Sequence, residues 1–417
     1  MDKKDSEKNL NKIKKKEKKE KKVNNSLNKY YKPLLFFHIL FFIFINDKIK
    51  GLIPTPSNKL KEEIIEENYY EDFEIIKKQF NNDSFLNSYL NEITILSHLY
   101  DKAYKELKKD KNIIHICMSL NDTYVYPILI SMESILMNTN KSKTFIIFHI
   151  LCSPEIGLST LSILKTIINR HSTNLELILY DMGNNFMNLK HTRSTQNTFY
   201  KLLLPIMINS DRIIHLDADT LTFKDLSDMY ESDFKDNYIL GTWGYYYFDL
   251  YYIGIKPYKY INAGVILLNL EKIRKNQKYY ELINKTNNDK YLRHDGHTVL
   301  NNILYPEIGD LSYKYNIFNF HHLSDAQMYA EDVGKNISIA DIEESMKEPT
   351  IIQYSLCYPK IWEVKTKYSI RYSRCRIRNN CSCEESHNLW YYYANQTDYY
   401  KEIVKYFKKR RKYRFYK

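Results

Sequence analysis

Asp211-Arg-Ile-Ile-His-Leu-Asp-Ala-Asp-Thr220 is the stretch on which the reading of this chain turns. Ile213, Ile214 and Leu216 form an apolar run of strand length, and Asp217 and Asp219 stand at its C-terminal end. Two carboxylates one residue apart at the mouth of a parallel strand can hold a hard divalent cation through oxygen ligands and leave coordination positions for a diphosphate. The triplet by itself is a weak motif, because a chain this rich in Asp supplies roughly one Asp-x-Asp by chance. Its surroundings must decide.

Upstream, the pattern alternates between strands and helices from residue 112. Ile113–Met118 is an apolar run of strand length, after which Val125, Ile128, Leu129, Met132, Ile135 and Leu136 recur at helical spacing. Phe145–Leu151 reads as a second strand, residues 155–170 as a second helix and Leu175–Tyr180 as a third strand, so the aspartate stretch is the fourth. This order predicts an α/β fold with a mostly parallel central sheet. Ligands of such sheets sit beyond the carboxyl ends of the strands, which predicts that Ser119–Tyr124, Asp181 and Asp217–Asp219 meet in one crevice.

The 417 residues are 44% apolar, enough for a sizeable core, and the net charge of +12 is unevenly placed. Residues 1–32 contribute +8 and residues 401–417 another +8, which leaves the middle at about −4. A nucleic-acid binder carries its positive charge on the folded domain, so nucleic acid is not the expected partner. Residues 1–32 read as a basic disordered tail and 406–417 as a basic C-terminal tail. Between the first tail and the rest lies Pro33–Ile45, about 13 apolar residues spanning about 20 Å as a helix. It is followed by no small-residue cleavage site. Residues 33–46 are therefore read as an uncleaved signal-anchor, single-pass type II, with the Lys-rich side cytoplasmic and the remainder lumenal, in the Golgi or ER of a eukaryote. Residues 47–110 read as a stem and 111–405 as the catalytic domain. Six cysteines show no paired metal-knuckle spacing. Sequons include those at Asn82, Asn284 and Asn395.

Several blocks in order then carry a resemblance: Cys117-Met-Ser-Leu-Asn-Asp-Thr-Tyr124, Thr198-Phe-Tyr-Lys-Leu-Leu-Leu-Pro205 leading into His215-Leu-Asp-Ala-Asp219, Ile261-Asn-Ala-Gly-Val-Ile-Leu-Leu-Asn-Leu270, Thr298-Val-Leu-Asn301, Ile351-Ile-Gln-Tyr354 with Pro359-Lys-Ile-Trp362, and Trp390-Tyr-Tyr-Tyr-Ala394. Together they resemble glycosyltransferase family 8, retaining enzymes that use nucleotide sugars on a GT-A (Rossmann-like) fold. The resemblance implies a metal-dependent hexosyltransferase moving glucose or galactose from UDP-glucose or UDP-galactose to a glycan or glycoconjugate acceptor. It implies Mn²⁺ or Mg²⁺ held by Asp217, Asp219 and Gln353. Asn121, Asp122 and Tyr124 would take the nucleotide, with Ala218, Asn262 and Gly264 beside the donor sugar and Lys360 on the pyrophosphate. Asp295, His297 and Lys201 join the carboxylates as catalytic candidates.

Three positions depart from the family pattern. Lys201 stands where an Arg is usual, Gly296-His297 where an Asp-Gln pair is usual, and Gln353 where a His completes the metal site. A Gln carbonyl is a neutral oxygen ligand rather than a nitrogen donor. The alternative reading is a relative that binds a sugar nucleotide or glycan without turnover. A phosphatase of the Asp-x-Asp-x-Thr type is disfavoured by Leu221 and by the absence of a downstream acidic pair.

Overall fold

The computed structural model describes residues 64–189, 196–243, 260–288, 295–318, 339–354 and 383–414, all inside the compact unit Glu62–Lys417. In chain order these form β1 (Ile64–Glu67), α1 (Glu71–Gln79), α2 (Ser84–Leu90), β2 (Thr94–Asp101), β3 (Asn112–Leu120), α3 (Val125–Asn138), β4 (Thr144–Cys152), α4 (Leu158–His171) and β5 (Leu175–Asp181). The second half supplies β6 (Arg212–Leu216), β7 (Thr220–Thr222), β8 (Ile239–Trp243), β9 (Ile261–Asn269), α5 (Lys278–Asn288), α6 (Asp295–Leu304), β10 (Ile308–Asp310), β11 (Ile317–Phe318), β12 (Ile351–Gln353), α7 (Cys383–Ala394) and α8 (Tyr400–Arg414).

One nine-stranded sheet runs β1-β2-β5-β4-β3-β6-β9-β8-β10. Its centre, β5-β4-β3-β6, is parallel, and antiparallel strands β2 and β9 flank it. The parallel centre is covered on both faces, which is why β4 reads Thr-Phe-Ile-Ile-Phe-His-Ile-Leu-Cys with every residue buried instead of alternating. Helix α3 is buried from Val125 to Leu136, and Pro127 is tolerated because it lies in the first turn, whose N–H groups have no intrahelical acceptor. Its Glu133, 1% exposed, faces Arg170 and His171, each at 3.2 Å, so the buried carboxylate is paired.

Residues 64–110 correct the expected stem. Strand β2 extends the central sheet by pairing with β5, and Phe73, Ile76, Leu86 and Leu90 of α1 and α2 lie in the same core cluster as Tyr180 and Phe199. The short helices carry too few apolar residues to announce this, since their partners are strands about a hundred residues away. Phe73→Ala, at 1% exposure against Tyr180, is expected to cost about 3–5 kcal/mol in urea unfolding; a mere spacer would lose almost nothing.

The C-terminal boundary also moves. Helix α8 continues through residue 406 to Arg414; Ile403 and Phe407, one helical turn apart, are fully buried in the core cluster, and Phe407 lies against Tyr126 and Trp390. Among the described residues no helix is long and apolar enough to cross a membrane, and the apolar segment 33–46 lies outside them, as do the basic tail 1–32 and residues 47–63 of the expected stem.

A chain of imidazoles crosses the sheet: His115 Nδ1 meets His149 Nε2 at 3.0 Å, and His149 Nδ1 meets the Tyr180 hydroxyl at 3.0 Å. Burial pushes His115 down to about 4 and His149 well below its ordinary value, so both are neutral. An unfolded imidazole takes up its proton near 6.5, whereas folded His115 does not until about 4 and folded His149 stays neutral well below its ordinary value. Stability is therefore fully present above that range and is lost as pH falls through it. The expected loss approaches about 1.4 kcal/mol per pH unit per histidine. Urea midpoints at pH 7.5, 6 and 5 test this; a flat profile across that window contradicts it.

Candidate active site

Strand β6 lies parallel to β3 and antiparallel to β9, with Ile213, Ile214 and Leu216 fully buried, so its C-terminal end is fixed on both sides. The register Cys117↔His215 carries Asp217 level with Ser119 at the end of β3. The turn that follows is pinned by three bonds. Asp217 N–H donates to Gly264 O at 2.7 Å, Thr220 Oγ1 to Asp217 O at 2.9 Å, and Tyr354 N–H to Asp219 O at 2.8 Å. Gln353 arrives from the small second sheet, β11-β12-β7, where it pairs with Thr220. Its Nε2 donates to Asp217 Oδ2 at 3.1 Å and to Asp219 Oδ1 at 3.3 Å, while its buried Oε1 has no hydrogen-bond partner.

That geometry tests whether the residues fit a divalent cation. The two amide ends of a Gln exchange places on a half-turn of the terminal torsion. The same rotation replaces the bridging N–H₂ by an oxygen and gathers two carboxylates and one carbonyl on one point. It also moves the orphaned acceptor out of its buried position and places the N–H₂ there. Hard divalent cations take such all-oxygen sets, so the fit is positive. In the described geometry the Gln353 amide nitrogen faces the carboxylates, so this terminal torsion must turn before the carbonyl can join them as a ligand.

The surroundings of Asp217 are cationic. Lys201, 2% exposed at its side chain, donates to Ala263 O at 2.8 Å and lies 3.7 Å from Asp217 Oδ1. His215 Nε2 is 3.3 Å from the same oxygen and His297 Nε2 is 3.9 Å from Oδ2. Burial opposes ionisation of Asp217, but the Lys201 ammonium and the His215 hydrogen bond override it and hold the carboxyl well below the usual range. Burial pushes the Lys201 ammonium down from its ordinary value while Asp217 opposes that shift. Burial and Lys201 depress His215 to about 4, so its neutral ring carries the proton on Nε2 toward Asp217 and leaves a buried Nδ1 without a partner. A Cβ on Gly264 would stand 2.6 Å from Asp217 Oδ2 and closer still to Gln353 Nε2, so any larger residue displaces the ends of those two side chains. Gly296 is required, because a Cβ there would run into the backbone oxygen of Thr198; this close approach lets α6 present His297 to the site.

The remaining expected residues divide. Asn121 Oδ1 accepts from Thr123 N–H and Oγ1, shaping the loop after β3, and Asp122 Oδ1 accepts from Gly157 N–H and Thr160 Oγ1 at the start of α4. Tyr124 is half-buried against the core and Ala218 packs on the same cluster. Asn262 is fully buried, and its Oδ1 accepts the Gly264 N–H, so it shapes the irregular start of β9. Asp181 ends β5, three strands from β6 and about 14 Å away at ~4.8 Å per strand, so it does not join the crevice as expected. Residue 295 begins α6. Lys360 lies outside the described residues, as do Pro359-Lys-Ile-Trp362 and residues 190–195 and 244–259. His215 was not among the expected site residues, although strand alternation puts it on the face of Asp217, two residues on.

The family model for glycosyl transferase family 8 matches residues 115–363, more than half of the chain. The chain belongs to that family. A Haemophilus influenzae protein named "Putative glycosyltransferase" is 29% identical over 216 residues, covering 48% of this chain and 61% of the relative, so the match spans about three fifths of that relative's length. Among solved structures, the WbbM bifunctional glycosyltransferase in its apo form superposes with a TM-score of 0.55 at 17% identity, covering 70% of this chain and 51% of that one. Galactosyltransferase LgtC, in complex with donor and acceptor sugar analogues, gives 0.50 at 16% identity and covers 68% and 96%. These likenesses support a GT-A-like family 8 fold. The family match begins at residue 115, within β3, so β1, α1, α2 and β2 lie before it in the chain.

Proposed function

We propose that this family 8 domain is a retaining hexosyltransferase that moves glucose or galactose from a UDP-sugar to a glycan or glycoconjugate hydroxyl. The observation that carries this reading is the pair Asp217 and Asp219, held at the mouth of a parallel strand with Gln353 across both carboxylates. Asp217, Asp219 and Gln353 are the residues that would hold Mn²⁺ or Mg²⁺, which when bound supplies charge stabilisation for a departing diphosphate. The protein's own groups do the rest. Lys201 and His215 keep Asp217 ionised and oriented, and Gly264 in β9, lacking a Cβ, leaves the carboxylate room to turn toward a ligand. His297, whose Nδ1 accepts from Ala263 N–H, presents Nε2 to the same space, where it can hydrogen-bond a sugar hydroxyl. Asn121, Asp122 and Tyr124 are proposed at the nucleoside end and Lys360 on the pyrophosphate, with Asp295 toward the acceptor. Residues 33–46 are proposed as the membrane anchor that places the domain in the lumen; extraction of the full chain by alkaline carbonate sinks that part.

The test is melting of the purified chain with UDP-glucose or UDP-galactose, with and without Mn²⁺. Ligand at a hundred times its Kd adds about 2.7 kcal/mol, so a rise in Tm is expected for one sugar nucleotide in the presence of metal and is expected to vanish with EDTA. UDP release with mixed glycan acceptors then separates a transferase from a relative that only binds. A melting temperature indifferent to both nucleotides contradicts the proposal.

A further inference from the structure

Between the turn that joins α1 to α2 and the start of α5 lies an open cleft of about 480 Å³. Its walls come from two sources. Gln79, Phe80, Asn82 and Asp83 belong to the segment that precedes the family 8 match, and Tyr279 and Tyr280 belong to the first turn of α5. Neither the carboxylate pair nor its neighbours reach it.

The rings are arranged against one another. Phe80 meets Tyr279 edge-on at 5.6 Å, and Tyr279 and Tyr280 lie 4.7 Å apart. Behind Tyr280 stands Phe85 at 6.0 Å. Phe80 and Tyr280 are half-buried, so part of each ring stays open to a ligand. Asp83 is held in place on both oxygens: Oδ1 accepts the Leu86 N–H at 3.0 Å and Oδ2 accepts the Tyr280 hydroxyl. An ionised carboxylate has about four acceptor sites, so two remain. The Gln79 and Asn82 amides, both exposed, add paired donors and acceptors at the rim.

The charge of the lining selects the ligand class. It contains one carboxylate and no Lys, Arg or His, so it offers nothing to a phosphate or a nucleotide. Half-buried aromatic rings suit the C–H face of a pyranose, while exposed rim amides and the anchored Asp83 carboxylate suit its ring of hydroxyls. The volume falls within the about 300–1,000 Å³ of small-molecule sites. We infer that this cleft is an accessory binding site for a neutral hexopyranose of a glycan, separate from the site of transfer. Helix α5 packs against α6, whose first turn carries His297, so a bound glycan would rest on the same helical layer that reaches the carboxylates. The inference goes beyond the transfer reaction and does not require it.

Saturation-transfer difference NMR on the full chain made in bacteria, without nucleotide or metal, tests it. The probes are methyl α-D-glucopyranoside, methyl β-D-galactopyranoside and maltotriose, with glucose 1-phosphate as the anionic control. At least one neutral sugar is expected to give signal, with weaker signal from the phosphate. That signal is expected to persist in Asp217→Asn and to fall about fivefold or more in the double variant Gln79→Ala/Asn82→Ala, whose exposed side chains leave Tm unchanged. Tyr280→Phe, which keeps the ring and frees Asp83, is expected to give a partial loss. Silence from every neutral sugar overturns the inference. So does signal that survives the double variant but disappears in Asp217→Asn, which would assign the binding to the site of transfer.

Discussion

Asp217→Asn is expected to lower kcat/KM for transfer by about 10²–10³, because the substitution removes the one carboxylate on which Lys201, His215, His297 and Gln353 all converge. The change is nearly isosteric, so the loss reports charge rather than shape. It also carries a stability cost. Lys201 is almost wholly buried and lies 3.7 Å from Asp217, and an amide cannot neutralise it. Breaking a buried pair costs about 3–5 kcal/mol; with Asp217 one third exposed, the expected loss is nearer 1–3 kcal/mol. Asp219→Asn separates the two effects. Its carboxylate meets the same Gln353 amide at 3.3 Å but is the lesser of the two acids acting on Lys201. A similar loss of transfer with little change in the urea midpoint is expected there. If Asp219→Asn keeps more than about a tenth of the activity, the carboxylate pair is not what the reaction depends on.

Gly264→Ala is expected to be nearly as damaging, for a steric reason. The added carbon would occupy the space of the Gln353 amide and crowd Asp217 Oδ2, while the backbone there is clamped by Gly264 O accepting from Asp217 N–H and Gly264 N–H donating to Asn262 Oδ1. Neither the strand nor the turn has slack, so the side chains must move. A loss of transfer of about 10²-fold is expected, since misplacing a reacting group by about 1 Å costs that much. Overpacking adds about 1–3 kcal/mol of destabilisation. A crystal structure of the variant should show Gln353 turned away from the carboxylates. Full activity with Gln353 unmoved would mean that this amide takes no part.

Strands β3, β4, β5 and β6 were legible because a strand covered on both faces must be a continuous apolar run, and α3 because its apolar residues recur at helical spacing. The candidate site was legible at Asp217, Asp219, Lys201, His297 and Gln353, since ordered blocks of sequence marked each. Its reach was not. Asp181 has the same local appearance as Asp217, a carboxylate closing an apolar run, yet strand order sets it three strands away. Strand order arises from which surfaces pack, and no window of sequence contains it.

The sequence by itself determined the class of fold, the family and the carboxylates at a strand mouth, because periodicity and short motifs are local properties of the chain. Tertiary structure alone decided the rest. It made residues 64–110 part of the sheet instead of a spacer and carried α8 past residue 406. It turned the Gln353 amide nitrogen toward both carboxylates and surrounded Asp217 with buried cationic and imidazole groups from three separate segments. Each of these depends on contacts between residues far apart in the chain, whose free energy comes from burial and from charge in a desolvated setting.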